Sequence, residues 1–494
     1  MAQSELDERK LILLLCLFAA IHVFIYSAAF PFFNDVDEEA HFDLVVKYSH
    51  GHLPRALEPL SNETMDYYVL YLSQEYLWPA PPGRPFPPPM WAWPADKAAP
   101  VLAARRALWK DPNHEASQPP LYYALAGLWW DMGKLCGFHG GFLLYWLRFL
   151  NLIFVAALVW LGYVATRLVF PKERFFRVGV PAMLAFLPQT AFYSIQNDVL
   201  SPVCFGAAFI LLARLNRVEL PGVRLGIGTG LALAATFLTK ISNLPLLIVA
   251  AVFVLIKIQR LARAGNLRAA FPALLALAAC AALPMAGWLA WCKYNFGDFT
   301  GTAAKIQYLG WTYKPFAEWR EHPVFTPHGF WTFISTLMAT FWQGEFLWHR
   351  QPLMLPVVSA FYAVSSAVFL VLAVAGLRPQ AGMMAGSQRG ALWLGFGSFI
   401  AAIAFLGFLS IIYDFHNCFY PSREHPYFTS GRLMLGALIP FVMLYVYGLN
   451  RALVRVKNNR VRLLALAGVI LFMLISEIAT DWPVFFSEYN WFHM

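Results

Sequence analysis

The sequence predicts an all-α, polytopic helical membrane protein. Three observations predict it. Of its 494 residues, 59% are apolar and only 13% charged, about half the charged fraction of a soluble globule. Apolar runs near the roughly 20-residue length that spans a bilayer recur along the chain. The loops between many of those runs are short and basic. We read about eleven spans, near 11–30, 142–168, 178–195, 199–215, 225–241, 243–260, 270–291, 353–376, 391–412, 433–450 and 461–480.

The first run follows "SELDERK" and lacks a small-residue cleavage site, so it reads as a retained helix rather than a signal peptide. With the N-terminus in the cytoplasm, the inner loops are "RLVFPKERFFR", "ARLNRVELPGVR", "KIQRLARAGNLR" and "RALVRVKNNRVR". The inner side then holds 20 Lys/Arg against 5 Asp/Glu, and the outer side 17 against 23. That asymmetry orients the chain. It places three long segments outside the cytoplasm, at about 31–141, 292–352 and 413–432. The chain divides into a transmembrane module over 1–292 with a first outer loop at 31–141, an extracytoplasmic or re-entrant segment over 293–352, and a C-terminal transmembrane module over 353–494.

"QPPLYYALAGLWWDMGKL" is apolar but short, and it carries Asp131 and Lys134. Read as a span it would invert every later loop. It is therefore expected to lie along the membrane surface, with Tyr122, Tyr123, Trp129 and Trp130 at headgroup depth. Proline density in "WPAPPGRPFPPPMWAWPADKAAP" (78–100) predicts an extended loop, with Trp91 and Trp93 as anchors or stacking faces. "GFWTFISTLMATFWQGEF" predicts a re-entrant or surface helix. The six cysteines show no ligand or CxxC spacing and read as apolar thiols. No glycine-rich nucleotide motif and no soluble domain is visible, and nothing points to nucleic acid.

Chemistry-bearing residues gather where the topology places loops outside. "FFNDVDEEAHFDLV" holds Asp35, Asp37, Glu38, Glu39 and Asp43, with His41 among them. Asp37 and His41, and Glu39 and Asp43, are four apart, so a helix there puts each pair on one face. Helix-dipole stabilisation accounts for one or two of these acids. Five so close must raise one another's pKa or meet a cation. "YSIQNDVLSP" places Asp198 at an outer turn, where with Asp37 it could share a divalent metal, Mg or Mn, or a substrate hydroxyl. Arg148, Lys240 and Arg432 sit at outer span ends, against the positive-inside bias, as expected of ligands for an anion at the outer leaflet. "NHEASQPPLYY" brings Glu115 and Gln118 to a helix start, with His114 beside them.

These motifs in this order resemble the GT-C superfamily of membrane glycosyltransferases. "DEEAHFDLV", "EASQPPLYY", "QNDVL", "LTK" and "SGRLMLGALIP" look most like a large bacterial family of multi-spanning proteins. More distantly the chain is similar to protein O-mannosyltransferases and lipid A aminoarabinose transferases. The resemblance covers about residues 20–450. It implies an inverting transfer at the outer face of a bacterial inner membrane, from a polyprenyl-phosphate-sugar donor to a glycan, lipid or protein acceptor. The "DE" pair, Asp37 and Glu38, would supply the general base. Arg432, with Lys240, Arg148, His41 and Glu115, would bind substrate or lipid phosphate, and Asp198 with Asp37 would hold any metal. Glu39 is a third acid where the family usually shows a small residue or proline, which leaves the base unassigned within the pair. A glycan polymerase or ligase, or a flippase, are the alternatives, and the spans lack the midplane charges and paired halves of transporters.

Overall fold

Among the described residues nine helices are long and apolar enough to cross a membrane, and 73% of the chain is helical. The structure is a computed structural model describing residues 2–79, 81–378, 384–418, 420–456 and 458–494. Ala80 of the proline-rich loop and Lys457 of the last basic loop lie outside them.

The first span is α1 (Ala2–Ala29). The segment 31–141 folds as α2 (Glu38–Ser49), α3 (Asn62–Tyr71), α4 (Gln74–Leu77), α5 (Ala95–Leu108) and α6 (Leu121–Leu135). The next span is built from α7 (Gly140–Arg148) and α8 (Leu150–Val169). Then follow α9 (Arg174–Ala185), α10 (Ser201–Arg217), α11 (Val223–Thr239), α12 (Leu244–Arg263) and α13 (Leu267–Phe296). The next segment carries α14 (Thr302–Tyr308) and α15 (Pro327–Gln343). The last four helices are α16 (Pro356–Gly376), α17 (Gly386–Ile412), α18 (Leu438–Ala452) and α19 (Asn459–Asp481). Among the described residues, sheet is confined to two two-residue antiparallel pairs, β1 (Thr312–Tyr313) with β4 (Tyr413–Asp414) and β2 (Leu347–Trp348) with β3 (Gln351–Pro352).

Two of the eleven expected spans are shorter than a bilayer crossing. α11 has 17 residues. α9 has 12 and stops at Phe186, after which the chain runs to Leu200 through irregular backbone and two 3-10 turns, Thr190–Tyr193 and Asn197–Leu200. This non-helical stretch is tolerable at membrane depth because protein, not lipid, satisfies it. Asn151 of α8 donates to the carbonyls of Phe192 and Ser194 at 3.1 and 2.8 Å. The expected extended loop at 78–100 is corrected at its end. It is irregular up to the 3-10 turn Met90–Ala92, but α5 begins at Ala95 because Pro94 sits at its N-cap, where a missing N–H costs nothing.

α6 has 15 residues, about 22 Å at 1.5 Å per residue. Its buried face carries Tyr122, Tyr123 and Trp130, while Leu128 and Leu135 are exposed. It packs along α2 and hands the chain to α7. Stacked Trp129 and Trp146 lock that joint, each indole donating to the other's carbonyl at 2.7 and 2.8 Å. α15 buries Phe333, Leu337, Phe341 and Trp342 and delivers its C-terminus into the bundle. All six cysteines are free.

Candidate functional site

The acidic stretch begins with a sharp reversal. α1 ends at Ala29, and Asp37 caps α2 with φ of +62°, a left-handed conformation uncommon for a residue with a Cβ. The reversal aims three successive acids in different directions.

Glu38 turns inward and is fully buried. Its Oε1 accepts from Arg148 Nε (3.0 Å), Arg148 Nη2 (2.8 Å) and the Ile195 N–H (2.9 Å), and its Oε2 from the Phe33 N–H (2.7 Å). A carboxylate offers about four lone-pair directions, so none remains for a substrate. Arg148 is equally committed. Beyond Glu38 it donates to the carbonyls of Ser27, Phe30 and Pro31 and lies 4.1 Å over the Phe32 ring. The expected phosphate role of Arg148 is therefore corrected: no donor is left for a phosphate. The pair binds the α1 exit to α7 and to the segment before α10.

Asp37 remains partly exposed. It accepts from His114 Nε2 at 3.1 Å and from Arg432 Nη2 at 2.6 Å. Burial would raise its pKa, but the His114 hydrogen bond and the Arg432 charge hold it well below the usual carboxylate range. Glu39 pairs with no other residue among the described ones, its carboxylate meeting only its own backbone N–H, and burial with the Asp37 charge pushes its carboxyl up to about 7.

The expected helix forms as α2, but His41 and Asp43 bond other elements rather than Asp37 and Glu39. His41 bonds Tyr123 Oη through Nδ1 at 2.7 Å, while its Nε2 is buried without a partner. Burial pushes its pKa down to about 3, so a neutral imidazole stands where an anion ligand was expected. Asp43 ties α2 to the loop, accepting from the Ser61 N–H (2.8 Å), Asn113 Nδ2 (2.9 Å) and Lys47 Nζ (2.8 Å).

Arg432 is the hub. At the start of a 3-10 turn leading into α18, it donates to Asp37, to Glu345 (Nε, 2.9 Å), to Gln196 (Nη1, 3.2 Å) and to Asp198 (Nη1, 3.4 Å). Lys240, at the end of α11, pairs with Asp198 at 2.5 Å. The expectation that Asp198 and Asp37 share a metal is corrected, because Arg432 and Lys240 already stand where that cation would be. The donor set that fits a divalent ion is another one. Asp37, His114 and Glu115 present ligand atoms within 4.8 Å of one another. Mixed oxygen and imidazole ligation suits Mn²⁺ better than Mg²⁺. A metal there competes with Lys305, which pairs with Glu115.

Sequence reasoning missed two contributors. Glu345 follows Gly344, whose φ of +88° swings the chain from α15 into the cluster. Burial pushes its carboxyl up to about 7 against the pull of Arg432. Lys305 comes from α14, and its charge, opposing burial, helps hold Glu115 below its ordinary pKa. The "WQGEF" glycine was the only local signal for the first; a lone lysine in a short helix signals nothing.

Asp37, Glu115, Asp198, Lys240, Glu345 and Arg432 thus come from six separate segments to one partly open cluster at one end of the bundle. A family model described as "Predicted membrane protein (DUF2142)" matches residues 16–413, ending before Arg432. No curated protein matches the chain.

Proposed function

The chain belongs to that predicted-membrane-protein family, and within it we propose that this member is a GT-C-type glycosyltransferase. It moves a sugar from a polyprenyl-phosphate-linked donor to an acceptor hydroxyl at the extracytoplasmic face of a bacterial inner membrane. The observation that carries the proposal is the convergence on Arg432: a partly exposed carboxylate, Asp37, shares a guanidinium with two buried ones at an end of a membrane bundle.

In this reading Asp37 is the base. The acceptor oxygen attacks C1 of the sugar from the face opposite the phosphate. Its proton passes to the Asp37 carboxylate as the new bond forms, and the C1–O bond electrons leave with the phosphate, inverting C1. A positioned base contributes roughly 100- to 10,000-fold. The leaving group needs charge stabilisation rather than a proton, and Arg432, Lys240 and Lys305 are the cations at hand. A phosphate drawing on Arg432 loosens its hold on Asp37 and so raises that carboxylate's basicity. Glu38 acts through Arg148 and the backbone as a positioning residue. A divalent ion at Asp37, His114 and Glu115 would add Lewis-acid stabilisation of phosphate oxygens.

The test is transfer of labelled sugar from a synthetic polyprenyl-phosphate donor by the purified protein. Asp37→Asn should lower turnover by roughly 100-fold or more while leaving the unfolding temperature and donor binding in place. Unchanged turnover in that variant would remove Asp37 from the chemistry.

A further inference from the structure

The second polar feature of the molecule lies at the opposite end of the bundle from the cluster. α8 begins two residues after Arg148 and runs 20 residues away from it, and α18 likewise runs away from Arg432. Between their far ends and the starts of α9 and α19 opens a cavity of about 680 Å³. Lys172, Arg174 and Arg462 line it, against a single carboxylate, Glu173.

Two of these cations have no acid as a partner, and Arg462 shares its charge with Glu173 without an ion pair. Lys172 and Arg174 are exposed and make no hydrogen bond or ion pair among the described residues. Arg462 is held in place by donating from Nε to the Val456 carbonyl at 2.8 Å, from Nη2 to the Val454 carbonyl at 3.4 Å and from Nη1 to Asn450 Oδ1 at 3.5 Å, which leaves one further N–H on each Nη nitrogen. An excess of positive charge around a preformed hollow fits an anion. The N-terminal ends of the α9 and α19 dipoles add to the same sign of potential.

The rest of the lining says which kind of anion. Phe175 and Leu463 form an apolar wall. Leu463 continues into a strip of α19 left uncovered by protein, including Leu464 at 69%, Leu471 at 56% and Ile475 at 57% exposure. A soluble phosphate has no use for that strip, whereas a lipid acyl chain does. We propose that this cavity binds the phosphate headgroup of an anionic phospholipid, with an acyl chain lying along the exposed face of α19. Basic hollows between membrane helices on the cytoplasmic side are suited to such headgroups.

The experiment is native mass spectrometry of the full chain, delipidated in detergent and titrated with phosphatidylglycerol, phosphatidylcholine or inorganic phosphate. Phosphatidylglycerol should be retained in preference to phosphatidylcholine. Lys172→Gln/Arg174→Gln should weaken that retention, roughly fivefold for each cation removed. Both side chains are exposed and unpartnered, so the variant should fold, which its unfolding temperature checks. Equal retention of the two lipids, or unchanged retention of phosphatidylglycerol in the folded variant, overturns the proposal. Displacement of phosphatidylglycerol by inorganic phosphate would assign the cavity to a soluble anion and overturn the lipid assignment.

Discussion

Glu38 and Glu39 are adjacent in sequence and opposite in circumstance. Glu38 neutralises a guanidinium that is 1% exposed. Removing one member of such a pair strands the other charge in a dry site, at a cost of about 3–5 kcal/mol. Glu38→Gln should therefore lower the unfolding temperature and the yield of monodisperse protein, and size-exclusion chromatography with thermal unfolding will show it. Glu39 offers a different signature. Its carboxyl has an ordinary pKa of 4.5 and is pushed up to about 7 in the fold. The native state holds the proton more tightly than the unfolded chain, so stability is fully present below the ordinary value and falls as pH rises through about 7. Thermal unfolding between about pH 5 and pH 8 should decline, and Glu39→Gln should make the decline shallower. Glu345, also pushed up to about 7, keeps part of the slope. An identical slope in the variant would place Glu39 in water. Sequence alone singled out Asp37 and Arg432, because charge at the outer ends of spans is conspicuous. It did not separate Asp37 from Glu38, since that separation depends on a left-handed N-cap and on Arg148 arriving from another element.

At the scale of elements, hydropathy located the spans well because lipid demands long apolar helices. It failed at α9, whose apolar run reads through the point where the helix stops and side chains of neighbours take over the backbone's hydrogen bonds. It also passed over α14 and the end of α15, where no periodicity marks a residue as facing the site. The turn after α15 is nevertheless tightly specified. Gly344 has φ +88° and ψ −162°, a region open essentially to glycine, and a Cβ there would lie 2.0 Å from Thr190 Oγ1. Gly344→Ala should cost about 1–3 kcal/mol and withdraw Glu345 from Arg432. We expect reduced transfer activity with the helical circular dichroism intact; wild-type activity would detach Glu345 from the site.

For the whole molecule, the charge asymmetry of the loops predicts an orientation, a reading that rests on counts of Lys and Arg rather than on any contact. Cys136 is exposed on the loop between α6 and α7. In a variant retaining only that cysteine, a membrane-impermeant maleimide should label it in intact spheroplasts. Labelling only after lysis would invert the topology and with it the face on which the reaction is proposed.

Arg432 stands 395 positions after Asp37, behind every other contributor to the cluster. A chain growing from its N-terminus therefore completes Asp37, Asp198 and Glu345 before their shared counter-charge has been synthesised. The cluster has a birth order, and its keystone is laid last. An interrupted chain that stops before Arg432 carries the acids but not the arrangement.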